Sequence, residues 1–304
     1  MRTVHALGEV RLIDRLRRRL GRAPSSLVEV GIGDDAAVLK MPGRRRLLFA
    51  SDMIVEDVHF RRRTTPAQWI GWKALAANVS DIAAMGGTPL CAVVSLGLPS
   101  STPMVFVDAL YGGLARCARR FGVAVVGGDT VRAARVTVDV AILGTVEHRY
   151  LALRSGAQVG DALFVTGRLG GSLASGRHAR FTPRLREAQQ LVRQVRIHAM
   201  MDLSDGLASD LWQMSRASRV VLRIEAARIP VSRAARTIQH ALSDGEDFEL
   251  LFAVGRRDVS RVPRRIGSCP ITRIGAAVGR GVRVELQQPN GRIDPFSPKG
   301  FRHF

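Results

Sequence analysis

Lysine is almost missing from this chain. Of its 46 basic residues only Lys40, Lys73 and Lys299 are lysines, so the net charge of +20 rests on arginine. None of the three lies near a glycine loop of P-loop spacing, and the protein-kinase H-R-D and D-F-G signatures are absent too. Aromatics make up only 5% of the residues and do not interleave with the arginine runs at 17–19, 44–46 and 61–63. A base-stacking platform for nucleic acid is therefore not visible, and the arginine reads as a solvated surface that attracts anions. Cysteine is scarce as well: Cys91, Cys117 and Cys269 are odd in number, widely spaced and form no CxxC pair. Free thiols in a reducing compartment follow. No apolar run reaches the ~18–20 residues of a membrane helix. Segment 1–16 interrupts its apolar residues with charge and has no signal-peptide core. The expectation is a cytoplasmic globular protein, in keeping with 46% hydrophobic and 24% charged residues.

Segment 9–20 places Val10, Ile13, Leu16 and Leu20 on one helical face, with arginines opposite. Stretches 27–39 and 47–55 read as strands with acid-bearing turns between and after them. Thr65 as N-cap and Pro66 at the first helical position predict a helix running to about Met85, stopped by Gly86 and Gly87. A strand at 91–98, a helix at 104–121 ended by Gly122, and strands at 124–130 and 135–146 continue the alternation. A boundary near 148–153 divides the chain into halves of ~150 residues, an ordinary domain size. The second half repeats the grammar with a strand at 162–167, a glycine loop at 168–172 leading to helix, and a helix over 184–196. Another helix opens within 201–211, and strands near 220–225, 249–254 and 271–286 complete the core.

Against the basic background, the acids gather beside glycine or small hydroxyl residues. They read GIGDDAAVL (31–39), SDMIVEDVHF (51–60), VGGDTVRA (126–133) and MDLSDGLASDL (201–211). Carboxylates gathered in this way hold hard divalent cations, and such cations hold phosphate. Asp81 stands mid-helix among Ala, Ile and Met, on one face with Asn78. A buried carboxylate there must be paired, hydrogen-bonded or metal-bound. GIGDDA fits a loose dinucleotide pattern, but the AVLKM after it reads as strand, so no helix N-terminus faces a pyrophosphate. Asp34 and Asp35 would also repel a phosphate unless a metal lay between them. Ser51 and Asp52 at a strand end suit Mg2+ or a turn. Gly127 and Gly128 let the backbone approach a ligand while Asp129 projects. Asp202, Ser204 and Asp205 share one turn, in which Ser204 or Asp205 is also a natural N-cap. His59, taken alone, reads as a packing or surface residue. Asp244, Glu246, Asp247 and Glu249 crowd into six positions and must meet cations or a cationic ligand.

Seven segments in order carry a resemblance: GIGDDAAVL, SDMIVEDVHF, NVSDIAAMGGTP, VGGDT, RSGAQVGDALFVTG, MDLSDGLASDL and GEDFELLF. The chain resembles the thiamine-monophosphate kinase family nearly end to end, within the superfamily that includes aminoimidazole ribonucleotide synthetase. The resemblance implies an α/β (α+β) two-domain fold. Its N-terminal domain, residues 1–148, binds ATP and metal and joins a second copy in a β-barrel. Its C-terminal α/β domain, residues 149–304, completes the active site. The implied activity is direct, ATP-dependent phosphorylation of thiamine monophosphate to thiamine diphosphate by a homodimer. By motif, Asp35, Ser51, Asp52, Asp81, Asp129, Asp202 and Asp205 hold several Mg2+ ions. Gly127, Gly128, Asp129, Arg154 and Ser204 contact ATP, and His59, Glu246 and Phe301 contact the thiamine phosphate, with Glu246 facing its cation. No general base is identified. The acceptor is itself a phosphate, and phosphoryl transfer needs positioning and charge neutralisation.

Two departures lie where substrate should approach. Asp244 stands where the family usually has the first of two glycines, and 170–183 is short and rich in arginine and histidine. Another phosphorylated acceptor, or an inactive nucleotide- or nucleic-acid-binding relative, stays open as an alternative. The reactive cysteine expected of selenophosphate synthetase has no counterpart before Cys91. The hydrogenase-maturation relative ends in a cysteine; this chain reads Arg302-His303-Phe304 there.

Overall fold

Buried and half-buried residues alternate along β6 (Thr137–Glu147), the period of a strand with one face on a core. The computed structural model, which describes residues 8–20 and 25–296, builds a six-stranded sheet around it. The order is β1 (Val28–Val30), β2 (Ala37–Lys40), β3 (Arg45–Val55), β6, β4 (Thr88–Leu98) and β5 (Ala124–Arg132). Every pairing is antiparallel except β4 with β5. Helix α1 (Glu9–Leu20) precedes the sheet and is tied by Asp14 to Arg216, but its apolar face is exposed.

Helix α2 (Ala67–Ala84) buries fourteen of its 18 residues, as a helix apolar on all sides must. It lies on the inner face of the sheet beside α3 (Met104–Phe121), which connects β4 to β5 and ends at a left-handed Gly122. The two helices approach through glycine. A Cβ on Gly71 would overlap the carbonyl of Leu110, and one on Gly113 would overlap the carbonyl of Gln68.

The second half forms a sheet in the order β14 (Ile293–Pro295), β13 (Arg283–Gln287), β9 (Val220–Glu225), β12 (Cys269–Arg280), β7 (Ala162–Thr166), β10 (Leu250–Val254) and β8 (Ile197–Asp202). The short β11 (Arg265–Ile266) pairs with β12. All five residues of β7 and of β10 are buried, so both faces are covered. Leu163, Val165, Leu251 and Ala253 pack with Leu207, Leu211 and Met214 of α6 (Leu207–Ser218). On the other face, Phe164 and Phe252 stack at 5.4 Å and pack with Ala188 and Leu191 of α5 (Leu185–Gln194). Ala83 and Ala84 of α2 belong to this second cluster, so one helix serves both sheets.

Several expectations are corrected. The segment 27–39 is two short strands rather than one, because the acidic turn interrupts it. Pro66, not Thr65, is the N-cap of α2, and Gly206 rather than Ser204 or Asp205 is that of α6. The helix after the glycine loop is the single turn α4 (Arg177–Arg180). Strand β8 and helix α7 (Ile238–Ser243) have no counterpart in the sequence reading.

Neighbouring glycines in α3 give a controlled test. Gly112 has open space where a Cβ would go, whereas Gly113 does not. Gly112→Ala should stabilise by up to about 1 kcal/mol through helix propensity. Gly113→Ala should destabilise by about 1–3 kcal/mol through overpacking. Equal melting temperatures for the two variants would disprove the close crossing.

Candidate active site

Period-two alternation decides what β3 offers. Ser51 and Met53 face outward, while Asp52 faces α2, where its backbone N–H donates to Asn78 Oδ1 at 3.2 Å. One turn further along α2 come Ser80 and Asp81. Ser80 Oγ donates to Asp202 Oδ2 at 2.6 Å, which joins α2 to the end of β8. The turn between β1 and β2 supplies Asp34 and Asp35. One carboxylate oxygen from each of Asp35, Asp81 and Asp202 lies within 4.8 Å of the others. Three elements from both halves of the chain thus converge on a single point.

Only one cation is seen to answer this cluster among the described residues. Arg154 Nη2 meets Asp35 Oδ1 at 2.5 Å, its Nη1 donates to Gln213 Oε1 at 2.8 Å, and its backbone N–H reaches Asp34 at 3.1 Å. Gln213 in turn donates to Asp205 Oδ2 at 3.1 Å. Burial opposes the charge on Arg154, but Asp35 and Asp34 hold its pKa above the usual value. The acids remain in excess. Burial, then repulsion from Asp35, raises Asp34 to about 7. Burial, then Asp35, Asp139 and Asp205, raises Asp52 to about 6. Burial, then Asp35, raises Asp202 to about 8. Asp35 is also raised by burial, and Asp81 well raised by burial and then by Asp52 and Asp202.

Asp35 Oδ2 and Asp210 Oδ2 are buried without a hydrogen-bond partner. An oxygen-rich, under-neutralised cluster with orphaned buried oxygens fits a hard divalent cation, which takes carboxylate ligands and offsets their repulsion.

The structure brings together Asp35, Asp52, Asp81, Asp202 and Asp205, but other expected residues lie elsewhere. Ser51 Oγ donates to Asp139 on the outer face, and Asp129 lies exposed on edge strand β5 in register with Ser95. Gly127 and Gly128 share that strand, and a Cβ at Gly128 would overlap Val94 O. Ser204 stays beside the cluster, between Asp202 and Asp205 in the chain, and its carbonyl accepts the backbone N–H of Glu246 at 2.6 Å. Phe301 falls outside the described residues. Sequence reasoning paired Asp34 with Asp35 but gave it no place among the ligands, and it missed Ser80, Asp210 and Gln213. The last two recur at helical spacing after Asp205–Gly206, a signal that was there to read.

The four acids of 244–249 are answered internally. Glu249 receives Arg184 at both oxygens (2.5 and 2.6 Å) and Thr166 Oγ1 at 2.7 Å. Asp247 pairs with Arg177 and accepts from Gly170 N, while Asp244 accepts from Gly171 N. The glycine loop therefore gives these N–H groups to carboxylates and offers them to no phosphate. Glu246, expected to face a cationic ligand, is ion-paired with Lys73, and the same ammonium donates to the carbonyl of His59 at 2.9 Å.

Residues 33–146 match the family model of the AIR synthase related protein N-terminal domain, and residues 158–287 that of its C-terminal domain. A thiamine-monophosphate kinase from Rhodopirellula baltica is 40% identical over 95% of each chain. One from Bacillus subtilis is 33% identical over 92% of this chain and 94% of its own. The solved structure of AaThiL complexed with AMPPCP and TMP superposes with a TM-score of 0.85 at 31% identity, covering 100% of this chain and 99% of that one.

The acid cluster makes stability pH-dependent in a definite direction. In the unfolded chain these carboxyls ionise near 3.8, while in the fold Asp52, Asp34 and Asp202 hold their protons to about 6, 7 and 8. Between those limits the folded state binds more protons, so its stability falls as pH rises. In EDTA the melting temperature should drop by several degrees from pH 5.5 to 8. Millimolar Mg2+ should recover more of it at pH 8 than at 5.5, because the cation binds only the ionised cluster. A flat profile, or an equal Mg2+ effect at both pH values, would contradict the cation assignment.

Proposed function

Because the chain belongs to the thiamine-monophosphate kinase family of the AIR synthase related proteins, we infer that its buried carboxylate cluster serves ATP-dependent phosphorylation of thiamine monophosphate to thiamine diphosphate. The observation that carries this reading is the convergence of Asp35, Asp81 and Asp202 where the two halves meet. ATP is the phosphoryl donor and thiamine monophosphate the acceptor, in line with the AMPPCP and TMP held by the similar solved structure. The chain is an enzyme, a kinase whose acceptor group is a phosphate.

The proposed residue roles are those the family's motifs imply, set against where each residue lies. Asp35, Asp52, Asp81, Asp202 and Asp205 would hold Mg2+, and Ser51 and Asp129 would join them from the outer face and from β5. Bound Mg2+ would supply charge neutralisation between the carboxylates, the triphosphate of the donor and the single phosphate of the acceptor. Arg154 holds Asp35 in place and stands ready to meet an anionic donor. Gly127 would leave room for a ligand on the fully exposed β5, Gly128 lets that strand pass close to Val94, Asp129 projects from it, and Ser204 fixes the turn that follows Asp202. His59 and Glu246, joined through Lys73, would meet the acceptor, as would Phe301. No side chain needs to act as general base. Positioning and electrostatics suffice for transfer to a phosphate oxygen.

We extend the proposal to a homodimer acting in the cytoplasm. The domain division at 1–148 and 149–304 belongs to the same reading. On the outer sheet face Phe49 is 47% and Met53 54% exposed, and Val93 of β4 and Val131 of β5 are exposed as well, apolar residues that a second copy would cover. No helix among the described residues is long and apolar enough to cross a membrane, and the three cysteines are free.

Purified protein with Mg2+, ATP and thiamine monophosphate should yield thiamine diphosphate by chromatography, and omission of Mg2+ should abolish it. Asp81→Asn should lower turnover at least ~100-fold, the scale of losing one charge-organising group. Its metal-free melting temperature should hold or rise, since a repelled charge is removed. Wild-type turnover in this variant would sink the metal assignment. For the dimer, Met53→Arg should halve the sedimenting mass; a wild-type protein that sediments as a monomer would exclude the assembly.

A further inference from the structure

Lys73 is the one lysine of this arginine-rich chain to be buried among the described residues, with 1% of its side chain exposed. It sits mid-way along α2, in a run of Ala, Leu and Trp. Its ammonium bridges the carbonyl of His59 and Oε1 of Glu246, so a residue of the first half fixes a carboxylate of the second. Glu246 is itself held on three sides. Its backbone is left-handed (φ 61°), its N–H donates to Ser204 O, and its carbonyl accepts from Ser172 Oγ at 2.6 Å. Two residues on, Phe248 (φ 50°) stacks on Phe181 at 3.8 Å, and Phe181 O accepts from Trp72 Nε1 at 2.7 Å.

The contrast with Glu249 is informative. Three residues away, Arg184 closes both oxygens of that carboxylate with a guanidinium fork, and the side chain is 1% exposed. Glu246 meets a lysine instead, and its side chain stays 24% exposed. An ammonium is a point charge that takes one oxygen, whereas a guanidinium takes two. Oε2 of Glu246 accordingly has no donor among the described residues. The pair is neutral overall, so it does not act as a trap for a cation. What it offers is one fixed oxygen that accepts a hydrogen bond.

We propose that Lys73 is a specificity-determining positioning residue, which neutralises Glu246 and leaves one of its oxygens open as a directional acceptor for an amino N–H of the substrate. The choice is for a hydrogen-bond donor, not for a positive charge. This deepens the reading of the acceptor as thiamine monophosphate and rests on it. Of that molecule's two rings, the aminopyrimidine carries the matching donor, and the thiazolium carries only the charge. A site built around such a bond rejects an analogue lacking the donor far more strongly than a contact of shape alone does.

The test compares thiamine monophosphate with its 4-oxo analogue, oxythiamine monophosphate, in the wild type and in two variants. In the wild type, kcat/KM for the oxo compound should be lower by ~100-fold or more. Lys73→Arg keeps the charge but closes both oxygens, so KM for thiamine monophosphate should rise at least ~10-fold, with kcat within a few-fold and KM for ATP unmoved. Lys73→Met, its fold checked by melting, should narrow the gap between the two acceptors by ~10-fold or more. Should that variant not fold, the wild-type and Lys73→Arg measurements still decide. Equal use of both acceptors by the wild type overturns the proposal and leaves the kinase reading intact. An unchanged KM in Lys73→Arg, or an undiminished gap in folded Lys73→Met, removes Lys73 from the role. Absence of thiamine monophosphate turnover in the wild type overturns the functional reading itself.

Discussion

Burial of α2 on every side is the constraint from which the architecture follows. A helix with almost no solvent face needs an apolar partner in each direction, and here two sheets and the helices α3, α4 and α5 supply them. Close approach to α3 is possible because Gly71 and Gly113 put backbone against backbone. The polar residues tolerated in such a helix each have a stated reason. Asn78 caps the backbone of β3, Ser80 ties β8, Lys73 meets Glu246, and Asp81 joins the acid cluster. Burial and function therefore use the same few side chains.

The charge distribution follows a division of labour between two cations. Arginine closes carboxylates whose role is structural, as with Arg184 on Glu249 and Arg177 on Asp247. These pairs hold the shortened segment 170–183 against the strand behind it. Around Asp35, Asp81 and Asp202 a single arginine faces several acids, and the imbalance is what suits the place to a divalent cation. The net charge of +20 is thus compatible with a local excess of negative charge, because most of the arginine lies elsewhere on the surface.

Much of this was legible in the chain. Alternation fixed β3, β4 and β6, and Gly122 marked the end of α3, because these signals are local and periodic. Asp81 stood out because a carboxylate among alanines needs a partner. The period-two rule also separates Ser51 from Asp52, although spacing in a motif treats them as a pair. What the sequence hides are contacts between distant segments. Nothing local tells that Asp247 and Asp244 occupy the N–H groups of the glycine loop, or that Lys73 meets a glutamate in the other half. Four acids in six residues said only that cations or a cationic ligand were required. For Glu246, Asp247 and Glu249 the structure supplies cations of the protein's own, and Asp244 accepts a backbone N–H.

Asp35 and Asp81 belong to the first half and Asp202 to the second. A cation held by all three is then also a clasp across the seam. Loading the site would tighten the grip between the two sheets, and emptying it would leave their union to the packing around α2 and to hydrogen bonds such as Ser80 to Asp202. On the proposed reading the supply of divalent ions would become a mechanical variable: it would set how firmly one half of the molecule is fastened to the other, quite apart from any chemistry performed between them.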